Sequence, residues 1–425
     1  MNSSMMDFLA AQDRTRRERG IVRATRIRSG ALDLASNDYL GLSRDPRVLA
    51  AAHAALDTHG AGARASRVVT GTSAAHEELE AELCALTGQP SALGFASGYA
   101  ANLGVIAALG GPDLLLVLDA HIHASVHDAA KLARCEVQFV PHGDVDAVRD
   151  ALRHRSLPRA LVVVESIYSV LGDAADVVAL ARVCAESDAV LLVDEAHGLG
   201  VIGGGRGGVH AAGLAGADHV YLTATMSKAL GTQGGAVLGP VELREHLVNR
   251  ARSFIFDTGV TPAAAAGAAE ACRIIAAEPE RVDQLAANAD AIARVCGIPR
   301  AAGPVQSIPC PSAEVARVTT ERVGERGVLV GCFRPPSVPD GISRIRITAN
   351  GALTLDAATA AATLVRAEFD AVCATEPKLD EGGAVRATEP HAAAGGAAET
   401  VVAETVEAHR AAPAQTTAAA GGGPA

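Results

Sequence analysis

Val190-Leu-Leu-Val193-Asp194-Glu195-Ala196-His197-Gly198 decides the fold of this 425-residue chain. Four apolar residues run directly into two acids, a histidine and a glycine. A strand that is apolar at consecutive positions is buried on both faces, as in a parallel sheet covered by helices. Similar runs lie on either side: Leu114–Leu118, Leu161–Val164, Val220–Thr223 and Ala236–Leu238. Ala-rich helical stretches separate them, so the expected fold is α/β, with helices on both faces of a mainly parallel sheet. From Thr261 the pattern changes to an Ala-rich helix, a mixed segment with the strand Ile345–Thr348, and a last helix near Leu355–Val372. The expected division is an N-terminal segment (1–35), a large domain (36–260), a smaller C-terminal α/β domain (261–373) and a tail (374–425). The tail is rich in Ala, Gly, Glu, Thr and Pro and carries too little apolar surface to fold, so disorder is expected there.

The composition narrows the function. Hydrophobic residues make up 49% and charged residues 20%, the balance of a soluble globular protein, and no run reaches the roughly 18 apolar residues of a membrane helix. The net charge of −11 and the absence of a basic stripe interleaved with aromatics argue against nucleic-acid binding. Eight dispersed cysteines without a C-x-x-C pair favour a reducing cytoplasm and no structural zinc. Arg14–Arg28 is Arg-rich, but Asp7, Asp13 and Glu18 make a solvated helix a better reading than an organellar leader.

Lysine is scarce: of 37 basic residues only Lys131, Lys228 and Lys378 are lysines. Arginine cannot serve as a nucleophile or form a Schiff base, whereas a desolvated lysine amine can. Lys131 sits in a helical run suited to a solvated face, and Lys378 lies in the tail. Lys228 stands in Thr225-Met-Ser-Lys228-Ala-Leu-Gly231, a small-residue loop between two apolar strands, which suits covalent carbonyl chemistry.

Sheets of this kind bind ligands beyond the carboxyl ends of their strands. Three features fall there: the Asp194–Gly198 loop, the Lys228 loop, and Gly94-Phe-Ala-Ser97-Gly98-Tyr99-Ala-Ala-Asn102, a turn opening an apolar helix. A helix start offers N–H groups and a positive dipole end to a phosphate. A phosphate seat, an aldehyde-reactive lysine and a strand-end Asp describe a pyridoxal 5'-phosphate site, because an acid keeps the pyridine nitrogen protonated. Each feature alone has a plainer reading. A Ser-x-Gly turn is often mere packing, and Asp-Glu-Ala-His also spells the metal box of a nucleotide hydrolase. That box needs a G-x-x-x-x-G-K-[ST] loop, and no Lys here precedes Ser or Thr. The run Gly203–Gly208 opens no clear helix and reads as a flexible turn rather than a dinucleotide fingerprint. His121, His123 and His127 lack clustered acids or thiols nearby in sequence, so no metal site is expected.

The ordered set Ser36–Leu42, Ser66-Arg67-Val-Val-Thr70-Gly71, Ser97–Asn102, His123-Ala-Ser125, Asp194–Gly198 and Thr225–Gly231 resembles the α-oxoamine synthase family of fold-type-I pyridoxal phosphate enzymes. The resemblance spans about 35–372. Within it, Gly331–Thr348 is similar to the biotin-pathway branch, which joins L-alanine to a pimeloyl thioester carried on coenzyme A or on an acyl carrier protein. The resemblance implies that Lys228 holds the cofactor and moves the substrate α-proton, Asp194 pairs with the pyridine nitrogen, His197 with the ring hydroxyl, and His123 stacks on the ring. It implies that Gly98, Tyr99, Thr225 and, from a second subunit of a homodimer, Thr258 cradle the phosphate, with Ser169 near the ring. Arg346 and Asn37 would hold the amino-acid carboxylate, with Arg334, Ser337 and Arg23 on the acyl side. Two positions depart from the family pattern: Leu171 stands where relatives usually carry Asp, and Ala65 where they carry Gly. A sister synthase using glycine or serine, a nucleotide hydrolase and a catalytically silent scaffold are the competing functions.

Overall fold

The computed structural model describes residues 4–18, 21–25, 27–28, 31–335, 337–375 and the strand residues 378–379 and 385–386. Seven strands form the main sheet: β1 (Ser91–Phe95), β2 (Leu114–Asp119), β3 (Glu136–Val140), β4 (Arg159–Glu165), β5 (Val190–Asp194), β6 (Val220–Thr225) and β7 (Gly235–Gly239). Their order is β1-β7-β6-β5-β4-β2-β3. Only β7 runs against its neighbours, pairing antiparallel with both β1 and β6. The expected mainly parallel α/β sheet is present, with β1 and β3 as strands the apolar runs did not single out. β3 escaped because it is an edge strand whose Glu136, Gln138 and Phe139 are exposed.

Alternate residues of each strand enter opposite cores. Leu114, Leu116, Leu118, Leu161, Val163 and Leu192 pack with Ala101, Val105 and Val126 on one face. Leu115, Val117, Val162, Val164, Leu191 and Val193 pack with Leu180, Val183 and Ala268 on the other. Burying each such large side chain stabilises the fold by about 1.5–3 kcal/mol before entropy is counted. Two-sided burial is why the strands read as continuous apolar runs.

A second sheet of β8 (Val305–Pro309), β9 (Gly331–Phe333) and β10 (Arg344–Thr348) is antiparallel, in the order β9-β10-β8. Leu32–Asp33 pairs with Val328–Leu329, and Leu34 O accepts from Thr348 N at 2.7 Å, so the residues just before Asn37 are laced to those around Arg346. The helix Ser4–Glu18 buries none of its residues, as a solvated first helix should. The last long helix runs Leu355–Thr375. Beyond it the disordered-tail expectation falls outside the described residues, apart from a pairing of Lys378–Leu379 with Val385–Arg386. No helix among the described residues is long and apolar enough to cross a membrane, all eight cysteines are free thiols, and no metal-binding cluster occurs among the described residues.

Candidate active site

The carboxyl ends of β4, β5 and β6 bring Glu165, Asp194 and Thr225 to one edge, with Glu165 beside Asp194 in register. Asp194 is buried. Its Oδ2 accepts from Asn102 Nδ2 at 2.8 Å and its Oδ1 from Ala196 N at 2.9 Å. The same Asn102 amide donates to Ser125 Oγ at 2.9 Å, and Ser125 Oγ lies 2.8 Å from His123 Nδ1. One chain of hydrogen bonds therefore joins His123, Ser125, Asn102 and Asp194. Glu165 is buried, its Oε1 has no partner among the described residues, and burial followed by the Asp194 charge raises its pKa well above the usual value. Burial beside a second carboxyl favours its neutral form.

Ser97 caps the helix Gly98–Leu109 by accepting from Ala100 N at 3.1 Å. The first-turn N–H groups of Gly98 and Tyr99 have no intrahelical acceptor. Gly98 packs against β6: a Cβ there would sit 3.1 Å from Thr225 Cβ, so glycine lets the helix start come up to the Thr225 hydroxyl. Thr225 Oγ1 lies 2.7 Å from Ser227 Oγ. The Tyr99 side chain points elsewhere, donating to Asp128 Oδ2 at 2.5 Å.

Lys228 follows β6. Its amine has no hydrogen bond or ion pair among the described residues, and burial lowers its pKa, with Arg346 adding to that and Asp194 and Glu165 opposing it. Lys131, by contrast, is solvated and bonded to Asp128 at 2.9 Å.

On the opposite wall, His197 Nδ1 lies 2.6 Å from Tyr39 Oη, and Tyr39 Oη donates to Asn37 Oδ1 at 3.2 Å. Burial, then the charges of Lys228 and Arg346, depress the His197 pKa far below 6.5. Arg346 is 4% exposed. It donates from Nη2 to Asn37 Oδ1 at 3.1 Å, from Nε to Ser169 O at 2.9 Å and from Nη1 to Thr348 Oγ1 at 3.1 Å. It has no ion-pair partner among the described residues, and its guanidinium lies 5.4 Å from the Phe333 ring centre. A buried guanidinium without a counter-charge calls for an anionic ligand.

Arg23 and Ser337, 314 positions apart, meet: Arg23 Nη2 donates to Ser337 Oγ at 2.8 Å. Ser337 N in turn donates to Arg334 O at 2.8 Å. Thr258 is exposed; its neighbour Gly259 N donates to Ala65 O at 3.1 Å.

The set fits pyridoxal phosphate: an unpartnered amine, a buried carboxylate with a fixed direction, and an open helix start beside a hydroxyl. It does not fit a nucleotide hydrolase. Glu195, which would serve a metal there, is closed off by Ser166 Oγ at 2.7 Å, Gly208 N at 3.0 Å and Val209 N at 2.7 Å. The glycine run read as a flexible turn thus ends in the short helix Gly208–Ala211, whose first N–H groups hold that carboxylate. A family model, class I and II aminotransferases, matches residues 29–363.

The chain belongs to the class I and II aminotransferase family. Its cofactor is pyridoxal 5'-phosphate. As a member of that family it is similar to the 8-amino-7-oxononanoate synthases of Mycobacterium bovis, with 49% identity over 359 residues, and Mycobacterium leprae, with 50% over 359. Each alignment covers 83% of this chain and 92% or 93% of the relative. Among solved structures it is similar to a serine palmitoyltransferase from S. paucimobilis with a bound PLP–myriocin aldimine, at TM-score 0.80 and 28% identity, covering 87% of this chain and 98% of that one. An 8-amino-7-oxononanoate synthase from Francisella tularensis shares the fold at TM-score 0.69 and 23% identity, over 80% and 98% of the two chains.

Sequence reasoning missed the connecting residues of this family member. Asn102 and Ser125 lay inside quoted motifs without a role. Asn102 lies four positions after Gly98, on the same helical face, a spacing that would have pointed it at the strand ends. Tyr39 lay inside the quoted Ser36–Leu42 motif without a role, and Glu165 lay just beyond the run Leu161–Val164.

Proposed function

We propose that this chain catalyses the decarboxylative condensation of L-alanine with a pimeloyl thioester, giving 8-amino-7-oxononanoate, CO2 and a free thiol in biotin biosynthesis. The observation that carries the amino-acid half is the buried guanidinium of Arg346, braced by Asn37 and without an ion-pair partner among the described residues, a seat for a carboxylate. The likeness to the mycobacterial synthases over 83% of the chain supports the acyl half.

Pyridoxal phosphate supplies an electron sink for the carbanion formed at the amino-acid α-carbon. Lys228 would hold it covalently, Asp194 would face the pyridine nitrogen, His197 the ring hydroxyl, and His123 one ring face, with Ser169 nearby. Gly98 and Tyr99 N–H groups and the Thr225 hydroxyl would take the phosphate, joined by Thr258 from a second copy in a homodimer. Lys228 would take the substrate α-proton; burial lowers its pKa, which favours the neutral amine that can accept one. Asn102 keeps Asp194 aimed throughout. Arg23, Arg334 and Ser337 would receive the acyl donor, from coenzyme A or a carrier protein. A carbon–carbon bond forms at the thioester carbonyl, the thiol departs and the amino-acid carboxylate leaves as CO2. The same reading divides the chain into the N-terminal segment (1–35), the cofactor-binding unit (36–260), the smaller unit (261–373) and the tail, and places it in the cytoplasm.

A sister synthase using glycine or serine is the second reading, favoured by the likeness to serine palmitoyltransferase. Titrating the visible absorbance of the cofactor-loaded protein with L-alanine, glycine and L-serine separates them. L-alanine acting at the lowest concentration supports the proposal; glycine or serine acting first replaces it.

A further inference from the structure

His142 lies outside the cleft and is held at both ring nitrogens: Nδ1 is 2.8 Å from Asp119 Oδ1 and Nε2 is 2.6 Å from Asp173 Oδ2. A carboxylate only accepts, so both nitrogens donate, as an imidazolium does. Asp119, at the end of β2, is fixed by His121 N at 2.7 Å and Gly143 N at 2.9 Å. Asp173 closes the loop that follows β4. That loop is tied within itself by Tyr168 N to Asp173 O at 2.8 Å and Gly172 N to Tyr168 O at 3.0 Å. Gly172 takes a positive φ of 76°, and a Cβ there would lie 2.3 Å from Val305 O. The other end of the loop reaches the site: Ser169 O accepts from Arg346 Nε at 2.9 Å, and Val170 O accepts from Ser307 Oγ at 2.6 Å.

We propose that His142 is a positioning residue for amino-acid binding: charged, it anchors Asp173 and so holds the Ser169–Asp173 loop whose backbone carbonyl orients Arg346. This rests on the carboxylate-binding role given to Arg346 above. Asp173 is the only acid in Ser169–Asp173, so the anchor has no substitute within the loop.

The groups facing His142 are Asp119, Asp173, His121 stacked at 3.8 Å and Tyr168 edge-on at 4.5 Å, with Asp340 acting on His121. Burial alone would lower the His142 pKa, but the two carboxylates outweigh it and raise the value above 6.5. As pH rises through that raised value the imidazolium loses a proton. A neutral ring has one N–H and can no longer donate to both acids.

The test uses the full-length, cofactor-loaded protein and reads the L-alanine concentration giving half the visible absorbance change, between pH 6 and 9. His142→Asn and Asp173→Asn are expected to weaken alanine binding about tenfold at pH 6–7, while the KM for the acyl thioester stays within about twofold. The gap between wild type and His142→Asn should close as pH rises, because only the wild type loses its anchor. Unchanged alanine affinity, a gap that ignores pH, or an equal weakening toward the acyl donor overturns the inference. Should His142→Asn not fold, Asp173→Asn, whose side chain is 41% exposed, decides the matter. A wild type that responds to glycine but not to L-alanine would overturn the functional reading alone, and the variants are then compared with glycine.

Discussion

Asn102 donates one amide to two acceptors, Asp194 Oδ2 at 2.8 Å and Ser125 Oγ at 2.9 Å. The helix that starts at Gly98 therefore sets both the open N–H groups at its first turn and the direction of the acid on β5. Hydrogen bonds to a buried charge contribute about 1.5–3 kcal/mol. Asn102→Ala should destabilise the protein by about that amount and weaken pyridoxal phosphate binding roughly tenfold or more. Urea unfolding and a cofactor titration measure the two effects; unchanged cofactor affinity would show that Asp194 is aimed without Asn102.

Lys228, proposed to hold the cofactor, is buried at a cost. Lys228→Met should abolish the borohydride-trappable link to the cofactor and lower turnover about a thousandfold or more. Freed of cofactor, the same variant should be more stable than wild type by about 1–3 kcal/mol, because an amine without a partner among the described residues no longer has to be buried. Equal or lower stability of the variant in denaturant melts would mean that the amine finds compensation when the cofactor is absent.

His197 makes stability depend on pH. Its pKa is far below 6.5 in the fold, while the unfolded ring titrates near 6.5. Below pH 6.5 the unfolded chain binds a proton that the folded chain refuses, so stability falls as pH falls. The slope due to this one group is at most about 1.4 kcal/mol per pH unit, down to the folded-state pKa. Urea midpoints at pH 7 and 5.5 should diverge more for wild type than for His197→Asn; parallel losses would place the proton uptake on other groups.

Arg23 and Ser337 should act as a pair on the acyl donor. Arg23→Ala is expected to raise the acyl-thioester KM about tenfold with the alanine KM unchanged, and Ser337→Ala to do so more weakly. Their 2.8 Å contact makes the double variant less impaired than the product of the singles, by a coupling of about 0.5–1 kcal/mol. Simple additivity in the double-mutant cycle would show that the two residues work independently.

The amino-acid sequence alone determined the sheet and pointed to Asp194 and Lys228 as the candidate reactive groups. Short apolar runs rich in β-branched residues, such as Leu161–Val164 and Val190–Val193, fit strands buried on two faces, and a parallel sheet places its ligand at the strand ends, where Asp194 and Lys228 stand. A lysine among arginines marks an amine by its chemistry, without any contact being known. Local pattern failed at β3, an edge strand with polar residues at exposed positions, and at the glycine run, whose N–H groups gain meaning only when Glu195 is folded against them. The tertiary structure alone decided which distant residues touch. Asn37 reaches Arg346 across 309 positions, Arg23 reaches Ser337 across 314, and His142 reaches Asp173 across 31. Such pairs leave no periodic trace, because hydrogen bonds between separate elements depend on how those elements pack rather than on spacing along the chain.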